Sequence, residues 1–419
     1  MKFNAVWADY ALYLPAPNRD YAHFAVERMT HAHRDRLPTG VRAADLNFLD
    51  PDAKLFHWPN MLYTAAFAVN DNRADMVKRR DRNTSFVLGD SGGYSLISGA
   101  VKVSQSSFRA EVLKWQESHC DVGIILDIPT RSLDVPASGI RDFRECLDRT
   151  KANLIFAKDN RTASGLRLLS VYQGRDHREA DAWAKEVSSL RLDGLAIAGH
   201  TRLDMWFWAK KFRDMLDAED FDHVTHIHFL GTSQPAFAVL ATALQRALRK
   251  HVRPDITVSF DSSLGFAIAQ RYGQVTTGLL ANGDDFRLIN HTLPARGGEF
   301  DPSMPFPYRS PLADRCKNGD FMPGTDPLLT PVDVTGNMMI SNHAVYSELS
   351  AILQANRLVD MRQQDGKAAV PYGLRRAVKL IGEVFAGSGS DKALTSLRTI
   401  MRNRPTEIDH TAERVDEGL

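Results

Sequence analysis

The sequence predicts an α/β protein, a (β/α)8 barrel (TIM barrel) with inserted loops and a helical C-terminal extension. Short apolar runs alternate with helical patterns of about 10 to 16 residues, which indicates βαβ units and a parallel sheet. The runs number eight, as a closed barrel requires: 62–69, 86–89, 122–126, 168–172, 193–198, 227–231, 256–260 and 275–281. A doubly wound open sheet is the alternative, but no Gly-x-Gly-x-x-Gly motif follows the first strands.

Helical patterns separate several of these runs, and three more follow the barrel region. They lie at 105–119, 138–157, 176–190, 202–217, 235–250, 341–359, 371–386 and 391–402. The expected organisation has four parts. They are an N-terminal segment 1–60 packing on the barrel, a barrel domain 61–360 with a loop-rich insertion at 280–340, a basic helical extension 361–405 and an acidic tail 406–419.

The composition is that of an ordinary soluble globular protein, with 43% hydrophobic and 25% charged residues. The net charge of +1 means that any nucleic-acid site must be a local patch. Three widely spaced cysteines favour a reducing compartment. Because no run resembles a signal peptide or a membrane span, we expect a cytoplasmic protein without a membrane partner, in the host cytoplasm if the gene is carried by a phage.

The stretch 86–98 carries the first candidate site. An apolar run ends at Asp90, and Ser91, Gly92, Gly93 and Tyr94 follow it. By itself this is typical of a turn between a strand and a helix. Other strand ends carry similar residues, namely Asp127, Gln173-Gly174, Gly199-His200, Gly231-Thr232 and Asp261. In a barrel these ends converge on one face, which favours a site over a set of helix caps.

Three carboxylates and a carboxamide at such a face suit exchange or cleavage at a sugar carbon. One carboxylate attacks the anomeric carbon and a second moves a proton, as in retaining glycosidases. A third carboxylate, together with a carboxamide, reads the hydrogen-bonding edge of a purine, and an aromatic ring such as that of Tyr94 stacks on its face.

These segments resemble the tRNA-guanine transglycosylase superfamily over about residues 60–360. The stretch from Asp90 to Tyr94 resembles the family's Asp-Ser-Gly-Gly-aromatic segment, and 171–174 resembles its Val-Gln-Gly. Residues 193–199 resemble Asp-Gly-Tyr-Ala-Ile-Gly-Gly, and 229–235 resemble Leu-Met-Gly followed by Thr-Pro. Asp127 falls at the family's guanine-reading Asp, and Phe260-Asp261 falls at its Phe-Asp.

The resemblance implies a pentosyltransferase in which Asp261 is the nucleophile and Asp90 transfers the proton. The base-binding residues that it implies are Asp127, Gln173, Tyr94, Ser91, Gly199 and His200. The wall at Gly199-His200 would face the substituent at position 7 of the base.

The departures from the family indicate its divergent branch, the phage and bacterial DNA 7-deazaguanine transglycosylases (DpdA family). The Pro-Thr-Arg segment that follows the nucleophile in tRNA-modifying members is replaced by 262–266, which holds no arginine. The expected partners are therefore DNA, a free 7-deazaguanine base such as 7-cyano-7-deazaguanine, and helper proteins. A tRNA-modifying enzyme, a retaining glycosidase and a catalytically dead nucleic-acid-binding barrel are the alternatives.

The chemistry requires no cofactor, and zinc is a separate hypothesis. The family's Cys-x-Cys-x-x-Cys is reduced here to Cys316, and its zinc-binding His falls at His343. Two ligands do not complete a structural site, which takes four. A free buried cysteine and a helix-capping histidine are equally consistent with these positions.

The extension provides a candidate surface for DNA. Residues 357–404 carry ten Lys and Arg side chains against four Asp and Glu. Basic helices fit phosphate contact, and we expect Arg375, Arg376 and Lys379 to make it. A solvated helical face is the alternative.

Overall fold

Eight parallel strands form one sheet at the centre of the computed structural model, which describes residues 9–26, 36–93, 105–281, 285–293, 301–323, 332–365, 369–387 and 389–403. The strands are β1 (Leu12–Pro15), β2 (Asn60–Thr64), β3 (Phe86–Asp90), β4 (Val122–Ile124), β5 (Arg167–Tyr172), β6 (Gly194–Ile197), β7 (His226–Phe229) and β8 (Thr257–Ser262). A separate hairpin consists of β9 (Gln274–Ala281) and β10 (Phe286–Thr292).

Helices follow the strands and cover the sheet. They are α1 (Arg19–Phe24), α2 (Ala65–Ala68), α3 (Met76–Arg79), α4 (Gln105–His119), α5 (Phe143–Asn160), α6 (His177–Val187), α7 (Met205–Asp217), α8 (Pro235–His251), α9 (Leu264–Tyr272), α10 (Asn318–Phe321), α11 (Val334–Asp365), α12 (Tyr372–Val384) and α13 (Ser390–Asn403). Short 3-10 helices lie at Ala43–Leu46, Thr130–Asp134, Pro136–Ser138, Ser188–Leu190 and Ala313–Arg315. Within the described residues, no helix is both long and apolar enough to cross a membrane.

The strand order confirms the predicted barrel. Strands β2 to β8 pair in sequence order, and β1 pairs in parallel with β8. Because β1 and β2 also lie next to each other, the sheet is nearly closed. The interior holds an apolar layer that includes Leu14, Leu62, Leu88 and Leu169. Both faces of the sheet are covered, which explains why the strands read as continuous apolar runs.

One strand prediction was wrong. Residues 275–281 belong to β9 and pair antiparallel with β10, outside the barrel. The remaining barrel strand is β1, which the N-terminal segment 1–60 supplies. β1 spans only four residues, and it ends at Pro15 with Pro17 close behind. A run this short beside two prolines carries no strand pattern, whereas 275–281 is longer and largely apolar.

Helix ends follow local sequence signals. The side chains of Asp142, Asp176 and Asp204 accept hydrogen bonds from backbone N–H groups in the first turns of α5, α6 and α7. Pro235 occupies the first turn of α8, where its missing N–H costs nothing. These aspartates are therefore caps, unlike the aspartates at the strand ends.

The C-terminal region is helical as predicted, with different limits. α11 is one continuous helix of 32 residues that passes the expected boundary between residues 360 and 361. It packs against α8, α9 and the hairpin, so the barrel and the extension share this helix. The predicted acidic tail 406–419 lies outside the described residues.

The position of β1 in the barrel gives a test. Leu14 is fully buried inside the barrel, whereas Leu280, in the run first assigned to the barrel, is 42% exposed. We expect Leu14→Ala to lower the free energy of unfolding by about 2–5 kcal/mol, because it leaves a cavity in the interior. Leu280→Ala, the matched control, should change it by about 0.5 kcal/mol or less. Equal losses in chemical denaturation would contradict the assignment of the strands.

Candidate active site

A cavity of about 470 Å³ opens at the carboxyl ends of the barrel strands. Residues at or just after the ends of all eight strands contribute to its lining. They include Pro17, Thr64, Asp90, Gly93, Asp127, Gln173, Gly199, His200, Gly231 and Asp261. The structure therefore brings the three predicted carboxylates, the carboxamide and the Gly199-His200 wall into one site.

Asp261 is held at one of its two oxygens. The backbone N–H of Gly231 donates to Oδ1 at 3.0 Å, and Nε2 of His228 lies 3.1 Å from the same oxygen. The side chain is almost fully buried but reaches the cavity wall. Oδ2 has no hydrogen-bond partner among the described residues, so it is the oxygen available to a ligand.

Asp90 ends β3 and faces the same cavity. Its Oδ2 accepts the backbone N–H of Gly92 at 3.0 Å, and the Thr64 side chain is a second hydrogen-bond partner. Burial raises the pKa of Asp90 above its usual range, and the negative charge of Asp261 raises it further. A carboxyl with a raised pKa is suited to carry a proton at neutral pH.

Asp127 and Gln173 form a buried pair on the loops after β4 and β5. Nε2 of Gln173 donates to Oδ2 of Asp127 at 3.0 Å and to the carbonyl of Ile128 at 3.1 Å, and Oε1 accepts from Thr130 N–H at 2.9 Å. Both N–H groups of Gln173 are thereby used within the protein, so in this structure its main role is to hold Asp127. Burial, followed by the charge of Asp90, raises the pKa of Asp127 to about 7.

The glycines of the first motif allow close packing around the carboxylates. A Cβ at Gly93 would lie 2.6 Å from the carbonyl oxygen of Asp127 and 2.7 Å from its Oδ1. Gly92 has φ +75°, and a Cβ there would lie 2.6 Å from Cβ of Ala66. Neither position accepts a larger residue without movement of the site, which explains the Gly-Gly pair physically.

The remaining predicted base-binding residues differ in their placement. Ser91 is buried beside the site, but its side chain does not line the cavity and its Oγ has no hydrogen-bond partner in the described structure. Strand alternation accounts for this, because neighbours of the inward-facing Asp90 point away from the interior. His200 lies exposed on the cavity wall, and Tyr94 falls outside the described residues.

The two predicted zinc ligands do not form a metal site with other described side chains. Among the described residues, no group of three or more His, Cys, Asp or Glu side chains could hold a metal ion. The thiol of Cys316 donates to the Leu312 carbonyl at 3.2 Å, and Nδ1 of His343 bonds to Oγ of Ser310 at 2.9 Å. Burial lowers the pKa of His343 to about 4, which keeps its ring neutral. The described side chains near Cys316 and His343 do not supply the four ligands of structural zinc, and zinc at these two residues stays a prediction.

The predicted DNA-contacting residues lie outside the cavity lining. Arg375, Arg376 and Lys379 belong to α12, which packs against α8 and α13, and the ammonium of Lys379 lies 3.5 Å from the carboxylate of Glu383. The basic side chains that line the cavity are instead Arg131, Arg202, Arg271 and His200. Nε of Arg202 donates to the Leu230 carbonyl at 2.9 Å, which ties it to the end of β7.

Sequence reasoning missed His228, which contacts Asp261 directly. It lies on β7, in a run interpreted only as an apolar strand. The available signal was the alternation His226-Ile227-His228-Phe229, which places both histidines on the same side of the strand. Thr64, the partner of Asp90, was missed for a similar reason, since it ends a strand without being acidic.

The sequence matches no protein-family model and no curated protein. The barrel alone does not select a reaction, because this fold supports many unrelated chemistries. Any inference about the reaction must therefore rest on the cavity side chains, where the charge of Asp261 acts on Asp90 and that of Asp90 acts on Asp127.

The raised pKa of Asp127 predicts a pH-dependent effect on stability. Between pH 3.8 and about 7 the folded protein keeps a proton that the unfolded chain has lost, so stability falls as pH rises through this window. Asp127→Asn cannot ionise. We expect it to raise the free energy of unfolding by roughly 1–3 kcal/mol at pH 8, and by much less at pH 4.5.

The matched control is Asp52→Asn, which changes an exposed carboxylate. Its effect should be small and independent of pH. Urea denaturation at the two pH values checks both variants. A gain for Asp127→Asn that is the same at pH 4.5 and pH 8 would show that its carboxyl is not destabilised by burial.

Proposed function

We propose that the protein is a base-exchange transglycosylase that replaces guanine in DNA by a 7-deazaguanine, such as 7-cyano-7-deazaguanine, through a covalent glycosyl-aspartate. One observation carries the proposal: Asp90, Asp127 and Asp261 line one cavity, and their surroundings differ. Asp261 has an oxygen without a partner among the described residues, Asp90 has a pKa raised by burial and by the charge of Asp261, and Asp127 is buried beside a carboxamide. The motif resemblance to transglycosylases supports the choice of reaction.

In the first half of the reaction, Oδ2 of Asp261 attacks C1′ of the target nucleotide. The bond from C1′ to N9 of guanine breaks, and its electron pair leaves with the base. Asp90 supplies the proton that neutralises the departing base, which its raised pKa favours. The sugar is now attached to Asp261 as an ester.

In the second half, the 7-deazaguanine takes the place of guanine. Its N9 proton passes to the carboxylate of Asp90, and N9 attacks C1′. The bond between C1′ and Oδ2 of Asp261 breaks, and its electron pair returns to the carboxylate. Two displacements at C1′ retain the configuration of the sugar. Asp90 thus acts first as an acid and then as a base.

Asp127 is suited to recognise the guanine edge. Above its pKa of about 7, Asp127 is mostly a carboxylate and accepts N–H groups of the base through Oδ1, while Gln173 holds Oδ2. A pocket of about 470 Å³ lies within the size range of small-molecule sites, so a nucleotide fits only after it leaves the stack. Base flipping costs a few kcal/mol, which contacts to the flipped base and the phosphates must offset.

The choice of DNA rests on the segment after the nucleophile. Ser262, Ser263, Leu264 and Phe266 line the cavity, and none is basic. In the tRNA-guanine transglycosylase superfamily, which these segments resemble, the members that modify tRNA carry an arginine in this segment to read an RNA loop. Discrimination in favour of RNA also needs a contact to the 2′-hydroxyl. Here the segment offers two hydroxyl groups, a leucine and an aromatic ring in place of a guanidinium, so the proposal for DNA rests on the missing arginine.

The nucleophile is tested by Asp261→Asn. An amide cannot form the ester, so we expect incorporation of labelled guanine into guanine-containing DNA to fall by at least about 10³-fold. Asp52→Asn, at an exposed site, is the matched control and should retain full activity. Exchange by the Asp261→Asn variant at a rate near that of the wild type would assign the nucleophile to another group.

The polymer is tested by direct competition. Labelled guanine or 7-cyano-7-deazaguanine is offered with a DNA duplex, a DNA single strand and a tRNA transcript. We expect label in DNA and none above background in tRNA, with exchange falling steeply as salt increases, since phosphate contacts release counterions. Label confined to the tRNA would overturn the DNA assignment while leaving the chemistry of the barrel intact.

A further inference from the structure

A continuous chain of hydrogen bonds runs from Asp261 into the barrel interior. Nε2 of His228 lies 3.1 Å from Oδ1 of Asp261, and Nδ1 of His228 lies 2.8 Å from Oγ of Ser259. The same hydroxyl lies 2.7 Å from Nε2 of His226. Ser259 and both histidines are fully buried, so solvent does not compete for these bonds.

The sheet register produces this arrangement. His226 and His228 alternate with apolar residues along β7, while Ser259 and Asp261 do so along the neighbouring β8. His228 pairs with Ser259 across the two parallel strands. Four polar side chains therefore occupy one side of two adjacent strands, although most of the interior is apolar.

The direction of every bond follows from the carboxylate. An ionised Asp261 only accepts, so Nε2 of His228 carries a proton and donates it to Oδ1. In the tautomer with its single ring proton on Nε2, His228 accepts at Nδ1, and Ser259 donates its single proton there. The Ser259 oxygen accepts from Nε2 of His226.

The far end of this series of hydrogen bonds, at His226, agrees with this direction. Within the described part of the chain, Nδ1 of His226 is buried without a hydrogen-bond partner, and in the tautomer with the proton on Nε2 it carries no proton. Burial lowers the pKa of His226 well below its usual value, so the ring stays neutral. An unpaired nitrogen lone pair costs less here than an unpaired N–H donor or a buried charge would.

We propose that His226, Ser259 and His228 form a one-way hydrogen-bond relay that fixes Asp261 through Oδ1 and presents Oδ2 to the anomeric carbon. This inference rests on the proposed function, and it makes His228 a positioning residue for the nucleophile. Oδ1 keeps the N–H groups of His228 and Gly231 throughout the reaction, first as a carboxylate oxygen and then as the ester carbonyl.

The relay predicts which kinetic constant changes when one of its hydrogen bonds is removed. When the bond between Oδ2 and C1′ breaks, negative charge returns to the carboxylate, and the two donors on Oδ1 stabilise it. Loss of one such donor from a buried site commonly costs about 10²-fold or more in rate. His228 does not line the cavity, so we expect the KM for DNA to change by only a few-fold.

The experiment compares variants of the full chain in base exchange on DNA. We expect His228→Leu to lower kcat by about 10²-fold or more, and His228→Gln, which keeps an N–H donor, to recover most of that loss. Ser259→Ala removes the group that selects the tautomer and should lower kcat by about tenfold. The matched control is His23→Leu, because His23 is also buried and bonded to a carboxylate, Asp71, away from the cavity. Its kcat should be unchanged.

A second measurement does not depend on activity. Nitrogen-15 NMR of histidine-labelled protein, with His228→Gln for assignment, should show His228 protonated at Nε2 and not at Nδ1. A His228 protonated at Nδ1 alone, or at both nitrogens, would overturn the relay. So would wild-type kcat in a folded His228→Leu variant. If the wild-type protein shows no base exchange, the proposed function fails, and the NMR result then decides the direction of the bonds alone.

Discussion

Burial of three carboxyl groups in one cavity, with charge repulsion added to it, organises the candidate site. Asp90 is affected by the charge of Asp261, and Asp127 by the charge of Asp90, in surroundings that already disfavour ionisation. Three full charges close together would be costly, and the raised pKa values of Asp90 and Asp127 reduce that cost. Asp261 has two hydrogen-bond partners at Oδ1, the backbone N–H of Gly231 and Nε2 of His228. The three carboxyl groups therefore have different surroundings, as the proposed division between a nucleophile and an acid requires.

The scaffold maintains this separation through short, specific contacts. The N–H of Gly92 and the side chain of Thr64 hold Asp90, while Gln173 holds Asp127. Gly93 lets the loop after β3 pack directly onto Asp127. Because these partners come from different strands, the site forms only when the barrel has closed. The stability of the barrel and the geometry of the cavity thus depend on the same strand ends.

Much of this could be predicted from the sequence, because apolar runs that end in Asp or Gln are visible without coordinates. Asp90, Asp127, Gln173 and Asp261 all reach the cavity as expected. The errors have physical causes. β1 is too short and too rich in proline to show a strand pattern. The hairpin strand β9 has an apolar run of the length expected for a barrel strand, and it was predicted as one.

Pairwise geometry was beyond sequence reasoning. His228 belongs to no motif. Its contact with Asp261 depends on the register between β7 and β8, which pair side by side in the sheet. The use of both Gln173 N–H groups inside the protein likewise depends on the folded loops after β4 and β5. Basic residues of α12 were selected by local charge, which does not reveal their distance from the cavity.

In the proposed reaction a sugar becomes attached to Asp261, and peptide mapping of a trapped intermediate can detect this bond. The protein is incubated with guanine-containing DNA in the absence of free base, denatured rapidly, digested with nuclease and protease, and analysed by mass spectrometry. We expect a deoxyribosyl adduct on the peptide that contains Asp261, and we expect this adduct to disappear when 7-deazaguanine is added before denaturation. An adduct on a different residue, or base exchange that proceeds at full rate with no adduct at any time, would contradict it.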